Sequence, residues 1–303
     1  MEITEFIKKY GVLITEEALE EIKRLSSEEL RALERKIYEE KPVFLDKSFV
    51  LSIKKPKIEV FEIKLKEKVM NLEEFIEILH NYYDIFSEMI KNKMNPLKLV
   101  SISSVKTHGS YGIIGMVKSI SETESHVIVE LEDKTGIIKC VIKKELIKNE
   151  ENTLYIDEII GVEGKYEKGK FYVEKIIFPD IEEIKKANFE KDSVLYARND
   201  LETIRISING KFFTINQPAV FIIDNINVLV FLNKQNINPK IYLKKRTLFP
   251  GKITISGIIQ TPPHLVITTH IPSYRENYKG VKIIGLEPKE EVRIRLKGME
   301  EIV

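Results

Sequence analysis

Residues 126–142, HVIVELEDKTGIIKCVI, contain the pattern that decides the fold. The run over residues 126–131 has the short length and the Val- and Ile-rich composition of a strand. Residues 133–136, DKTG, have the polar and glycine content of a turn, and they lead into a second run, IIKCVI. Two strand-like runs joined by a short turn predict a pair of neighbouring strands.

Further short strands flank this pair in the same rhythm. Residues 112–117 precede it, residues 158–163 follow it, and a hairpin turns over Lys168 and Gly169. Five or six short strands of this kind predict a small barrel. We therefore assign residues 96–180 to an OB-fold β-barrel.

An OB-fold often binds single-stranded nucleic acid through aromatic side chains in a basic groove. Here the aromatic candidates Tyr166, Phe171 and Tyr172 all lie in the last hairpin, and the loop over residues 121–124 is acidic. We expect the barrel to pack against protein more than to bind a strand directly, and we keep strand binding as the alternative.

The chain before the barrel predicts helices. Residues 1–40 form an N-terminal helical module, with Thr15 as a candidate N-cap before two glutamates whose charge favours the helix start. Residues 41–95 predict a linker and then an amphipathic helix that begins after Asn71.

Lysines in that linker are weak candidates for nucleic-acid contact. Lys54, Lys55 and Lys57 could touch phosphate, although a solvated tether is the simpler explanation. The whole chain has 48 basic and 47 acidic residues, for a net charge of +1. Because a protein that binds DNA alone usually has a clear basic excess, this balance favours a protein partner.

The bulk composition fits a soluble globular protein of two or three domains. Apolar residues make up 43% and charged residues 31% of the 303 residues. No apolar run approaches the roughly 20 residues of a membrane span, so we expect no membrane partner. Cys140 is the single cysteine, and we interpret it as a small buried side chain in a reducing, cytoplasmic setting.

Residues 181–303 predict a mixed domain. A hairpin turns over Asn209 and Gly210, and several apolar strands and a short basic helix follow it. The sequence has no P-loop, dinucleotide fingerprint or zinc spacing. The fold class that we predict is α+β and multidomain: a helical region, an OB-fold barrel and a reduced α/β domain.

From residue 96 onward the chain resembles the small (B) subunit of archaeal family-D DNA polymerase, which is related to the B-subunits of eukaryotic replicative polymerases. That family carries an OB-fold followed by a calcineurin-like phosphoesterase domain. The stretches that carry the resemblance are SISSVK (101–106), IIGMV (113–117), VELEDKTGIIKCVI (129–142), DEIIGVEGK (157–165), EKIIFPDI (174–181), NQPAVFIIDNINVLVFLN (216–233), LKKRTLFP (243–250) and PPHLVITTHIPSYRENYKGVKIIG (262–285).

The resemblance implies that residues 181–303 are a truncated, degenerate phosphoesterase domain. Active members bind two metal ions through His, Asp and Asn motifs, and a two-metal site needs several ligands for each ion. Among the matching positions, Asp200 and His270 alone could still be ligands, and both are vestigial candidates. The last motif has Ile267 and Pro272 at two ligand positions, and neither side chain can bind a metal.

Other matching positions depart from the family in the same way. Residues 232–233 are Leu-Asn where the family has His-Gly. Arg198 and Asn199 occupy the positions of the family's Asn-His pair. A register shifted by one residue instead puts Asn199 at the position of the ligand asparagine. We expect His270 to be a strand-end residue and Asp200 to cap the next segment. His264 has no partner in the sequence.

Three functions remain open from the sequence. The resemblance favours a non-catalytic accessory subunit in DNA replication, which binds the large catalytic subunit, meets DNA mainly within the complex and works in the nucleoid without a cofactor. The alternatives are a stand-alone OB-fold protein that binds single-stranded DNA, and a residual metal-dependent 3′-5′ exonuclease. The missing ligands argue against the exonuclease.

Overall fold

The computed structural model describes residues 10–54, 57–64, 71–185 and 193–302, and the chain divides into two compact units. The first unit takes in Met1–Glu62, Ile184–Lys234 and Pro263–Val303. The second takes in Ile63–Glu183 and Gln235–Pro262. No helix among the described residues is long and apolar enough to cross a bilayer.

The first unit begins with a small helical module. The side chain of Thr15 accepts a hydrogen bond from the Ala18 amide, as the sequence predicts for an N-cap. Ser26 and Glu29 bond reciprocally in a capping box before the next helix. The elements are β1 (Leu13–Ile14), α1 (Glu16–Lys23), α2 (Ser27–Glu40), β2 (Phe44–Leu45) and α3 (Lys47–Leu51).

This module continues past residue 40, where we predicted that it would end. Leu45 and Val50 are buried in the same apolar core as Ile22, Leu33 and Ile37. Strand β1 pairs in parallel with β2, which ties the two ends of the module together. The predicted linker therefore begins with packed structure, since its apolar residues complete a core that the first two helices leave open.

The linker also contributes strand β3 (Ile58–Glu62). This strand pairs with residues 219–223 of the first unit, which lie more than 150 residues further along the chain. Ile58 and Val60 alternate with glutamate and pack against the core of that unit. This alternation is the signal of a half-buried strand, and five residues are too few to distinguish it from loop in isolation.

The second unit is built around a closed five-stranded barrel with the strand order β4-β5-β6-β8-β7. This order confirms the predicted OB-type barrel. The helix α4 (Leu72–Lys91) packs on β4 and β7, and its buried side chains include Tyr82, Phe86 and Ile90. The strands are β4 (Gly109–Glu122), β5 (His126–Asp133), β6 (Gly136–Lys143), β7 (Ile159–Glu167) and β8 (Lys170–Ile177).

Residues 235–262 belong to this barrel unit, although we predicted one domain from residue 181 onward. They contain the short helix α5 (Pro239–Lys244), which carries two lysines that contact the β6–β7 connection. Lys240 pairs with Glu151 at 2.9 Å, and Lys244 donates to the Asn152 side chain at 2.6 Å. The predicted boundary fails here because charged side chains tie this segment to the β6–β7 connection, which lies far away in the sequence.

The most buried of these contacts is an ion pair. Lys245 Nζ lies 2.5 Å from Glu158 Oε1, and the two side chains are 1% and 9% exposed. The ammonium also lies 3.5 Å from the centre of the Phe178 ring, which is favourable cation–π geometry. Burial lowers the pKa of Lys245 to about 8 against the raising effect of Glu158, and burial raises the pKa of Glu158.

The rest of the first unit is a pair of sheets that share one apolar core. The six-stranded sheet has the order β15-β16-β14-β13-β12-β3, and the five-stranded sheet has the order β11-β10-β9-β17-β18. Their strands are β9 (Val194–Asn199), β10 (Ile204–Ile208), β11 (Lys211–Ile215), β12 (Ala219–Ile223), β13 (Ile226–Phe231), β14 (Leu265–Thr269), β15 (Tyr274–Tyr278), β16 (Val281–Leu286), β17 (Glu291–Arg295) and β18 (Glu300–Ile302).

The buried ion pair generates a prediction about stability. Lys245→Met leaves the Glu158 carboxylate buried without its partner, so we expect the free energy of unfolding of the barrel unit to fall by about 3–5 kcal/mol. The double change Lys245→Met/Glu158→Leu removes both charges, and we expect it to recover most of that loss. Urea unfolding followed by circular dichroism measures both.

The matched control is Lys139→Met, because Lys139 pairs with Glu130 at 3.7 Å on the surface of the same barrel. We expect this change to cost less than about 1 kcal/mol. Equal losses for Lys245→Met and Lys139→Met would contradict the special role of the buried pair.

Candidate functional site

Two segments that resemble metal-ligand loops of the phosphoesterase family, one at Asn199 and one at His270, meet at one edge of the paired sheets. Asn199 is the last residue of β9, and its buried side-chain amide donates to the Leu286 carbonyl at 2.9 Å. The His270 amide, just after β14, donates to the same carbonyl at 3.1 Å. The Asn199 side-chain oxygen accepts from the Leu201 amide at 2.9 Å. The edge therefore brings the two motifs together, and Asn199 is occupied by main-chain hydrogen bonds.

Asp200 is held by two arginines. One carboxylate oxygen lies 3.0 Å from Arg198 Nε, and the other lies 2.9 Å from an Arg205 guanidinium nitrogen. Arg198 precedes Asn199 on β9, and Arg205 is its cross-strand partner on β10. Because both oxygens face cations of the same chain, the carboxylate holds neighbouring strands together, and a metal ion would have to compete with two guanidinium groups for it.

His270 makes a local contact. Its Nδ1 lies 2.6 Å from the Pro272 carbonyl, and a carbonyl can only accept, so Nδ1 carries the proton. The imidazole centroid lies 5.3 Å from that of the Tyr274 ring. Nε2 is left as the nitrogen that could bind a metal, and no cluster of three His, Cys, Asp or Glu side chains occurs near it or elsewhere among the described residues.

The neighbouring strand ends are also fixed by the chain itself. The Thr268 hydroxyl donates to the Phe231 carbonyl at 2.8 Å, and the Asn233 amide donates to Thr269 Oγ1 at 2.9 Å. Ile267, at a ligand position of the family motif, is fully buried in the core between the sheets. These contacts connect the end of β13 to the end of β14 within the chain itself.

His264 has a structural partner that the sequence did not reveal. Its Nδ1 accepts a hydrogen bond from the Asn227 amide at 3.0 Å, so that nitrogen carries no proton. Burial lowers the pKa of the imidazole, which favours the same neutral form. The side chain therefore fastens the start of β14 to the start of β13.

The outer surface of the barrel carries lysines that are paired with glutamates. On β4 to β6, Lys118 lies 3.3 Å from Glu132 and Lys139 lies 3.7 Å from Glu130. A third pair, Lys165 with Glu174 at 3.1 Å, joins β7 and β8. Such pairing reduces the positive potential that a groove for single-stranded nucleic acid requires.

The aromatic candidates on the barrel do not form a stacking surface. Phe171 is fully buried in the barrel core, while Tyr172 is 41% exposed beside Val141 on the outside. Tyr166 is partly buried against the core. Cys140 is buried in the same core, and burial raises the pKa of its thiol, which fits the interpretation of a small buried side chain.

The three linker lysines have different positions. Lys54 pairs with Glu21 of the helical module at 2.9 Å, so its charge supports that module. Lys57 is exposed and contacts Glu59. Lys55 lies outside the described residues. The structure thus gives Lys54 a structural partner and assembles no basic patch from the described members of this group.

The fold and the sequence both point to an OB-fold class of nucleic-acid-binding domain. Residues 111–184 match the family model described as "OB-fold nucleic acid binding domain", a range that contains β5 to β8 and most of β4. Asparaginyl-tRNA synthetase from Pyrococcus horikoshii is a solved structure with 22% identity over 25% of this chain and 22% of that chain, at a TM-score of 0.23.

More specific relatives are archaeal proteins called DNA polymerase II small subunit. That of Archaeoglobus fulgidus is 31% identical over 113 residues, which are 37% of this chain and 22% of the relative. That of Pyrococcus abyssi is 28% identical over 38% of this chain and 21% of its own length, and that of Methanothermobacter thermautotrophicus is 45% identical over 22% and 14%. The resemblance to this subunit is confirmed over the aligned part, and the chain spans about a fifth or less of the length of these curated relatives. The degenerate phosphoesterase origin of residues 181–303 stays a prediction.

The contacts of Asp200 and His270 predict how the double variant Asp200→Ala/His270→Ala behaves. We expect wild type and variant to give the same weak, unsaturated Mn²⁺ titration by calorimetry, because no ligand cluster is broken. We also expect the variant to lose up to about 1 kcal/mol of unfolding free energy, since Asp200 supports a partly exposed ion-pair network. A Mn²⁺-dependent 3′ nuclease activity that disappears in the variant would contradict this account.

Proposed function

We propose that this chain is a non-catalytic accessory subunit of an archaeal-type DNA polymerase, which binds and stabilises the large catalytic subunit. The observation that carries the proposal is the similarity to three DNA polymerase II small subunits. The OB-fold match over residues 111–184 supports the same setting of nucleic-acid transactions.

The side chains at the candidate metal edge support a role without catalysis. Asp200 is held between two arginines, and the Asn199 amide is bonded to the main chain. Phosphoryl chemistry with two metal ions needs ligands that are free to converge on those ions. An accessory role uses the same sheets as a rigid support and requires no such freedom.

A stand-alone binder of single-stranded DNA is the second candidate, because the family model that matches the barrel describes nucleic-acid-binding domains. The paired lysines of the barrel and the net charge of +1 favour the accessory role over it. In the accessory role, DNA is met mainly within the complex.

Stabilisation of the large subunit is directly measurable. We expect co-expression with this chain to raise the soluble yield and the Tm of the large polymerase subunit from the same organism, because a partner that binds only the folded state stabilises it. We expect the variant Asp200→Ala/His270→Ala to stabilise the large subunit as well as wild type, since neither residue is assigned a catalytic role.

An unrelated OB-fold protein of similar size serves as the negative control. If the large subunit has the same yield and Tm with this chain, with the control and alone, the accessory role is wrong.

A further inference from the structure

The outer face of the five-stranded sheet is exposed and rich in arginine. The buried partners Leu195, Ala197 and Ile294 point into the core between the sheets, so the alternating residues of the same strands lie on the opposite face. The register sets Arg198 of β9 beside Arg205 of β10. We call this surface the arginine face; its basic and aromatic members are Arg198, Arg205, Arg293, Arg295, Tyr196 and Phe212. It also includes Glu291, which accepts from the Tyr196 hydroxyl at 2.6 Å and lies 3.8 Å from Arg198, and Glu300, the cross-strand partner of Arg295.

The arginines of this face fall into two groups. Arg198 and Arg205 are bound to Asp200, as described above. Arg293 and Arg295 on β17 are exposed, and within the described part of the chain neither forms an ion pair. Their charges therefore remain available, unlike those of Lys118, Lys139 and Lys165 on the barrel.

Aromatic rings lie in line with one of the free arginines. Arg293 is the cross-strand partner of Tyr196, Tyr196 is the partner of Ser207, and Ser207 is the partner of Phe212. Phe212 is 72% exposed. These four residues form one row across four adjacent strands, which spans roughly 14 Å at the usual strand spacing.

We propose that the arginine face binds a single-stranded nucleic acid, with Arg293 and Arg295 on the phosphates and Phe212 and Tyr196 beneath the bases. Guanidinium groups match phosphate geometry, and exposed rings stack on bases of any sequence. An acidic protein would also meet the guanidinium groups, but it would need an apolar side chain placed opposite Phe212, whereas every nucleotide carries both a phosphate and a base. The inference goes beyond the accessory role, because it gives this chain its own contact with the strand and places it away from the barrel.

Two free charges predict a weak contact with a small, measurable dependence on salt concentration. Each neutralised phosphate of a single strand adds about −0.7 to the slope of log affinity against log salt concentration. The contact becomes effective when a polymerase complex holds the strand nearby, because tethering raises the local concentration.

The test is fluorescence anisotropy of the full chain with a labelled oligothymidylate of about 20 nucleotides, between about 25 mM and 150 mM salt. We expect wild type to bind at the low salt concentration, and Arg293→Ala/Arg295→Ala to bind about tenfold more weakly with a slope that is smaller by about 1.4. The matched control is Lys118→Ala/Lys139→Ala on the barrel, which we expect to bind like wild type.

A second variant separates stacking from charge. Phe212→Ala should weaken binding several-fold and leave the salt slope unchanged, because a ring carries no net charge. Thermal melting by circular dichroism verifies that each variant is folded.

The proposal is wrong if wild type fails to bind at low salt, if the arginine variant binds as tightly as wild type, or if the lysine control loses as much affinity. If the arginine variant loses binding to the polymerase large subunit while its affinity for the oligonucleotide is unchanged, the face docks a protein and the proposal is also overturned.

Discussion

The ion pair between Lys245 and Glu158 is the constraint on which the barrel unit depends. A buried ammonium is costly unless an opposite charge lies beside it, and the two atoms are 2.5 Å apart in a site that also contains the Phe178 ring. Neither charge can stay buried without the other. The pair therefore makes residues 235–262 part of the barrel unit, although the chain has built several strands of the other unit in between.

Polar side chains at the edge of the paired sheets are likewise bonded to partners within the chain. Asp200, Asn199 and His270 occupy positions that resemble metal-ligand motifs, yet each is engaged by groups of its own chain. A metal ion at His270 Nε2 would have to displace the arginines from Asp200 and the main-chain bond from the Asn199 amide to gain these residues as further ligands. The edge is thus suited to holding strands in register, which is the property that an accessory subunit requires of it.

Local patterns predicted the barrel well. Runs such as residues 126–142 combine strand composition with turn residues, and neighbouring strands in the sequence are mostly neighbours in the barrel. Strands β3, β9 and β15 were missed. Strand β3 pairs with a strand far away in the sequence, and the residues of β9 and β15 were interpreted as parts of loops. Short strands of this kind gain most of their stability from such partners.

The site was less predictable than the fold for the same reason. The sequence indicated a basic helix near Lys245, but nothing local shows that Glu158 neutralises it. Asp200 was predicted as a cap, whereas its arginine partners follow from the β9–β10 register. The arginine face also depends on register, since Tyr196 and Arg293 become neighbours only when β9 pairs with β17.

The most direct test of the accessory role is affinity purification of the tagged chain from its native source, with identification of whatever is recovered in stoichiometric amount. The account predicts recovery of a large DNA polymerase chain at an equal molar ratio. Recovery of this chain alone, or with nucleic acid only, would contradict it and would favour a stand-alone binder of single strands.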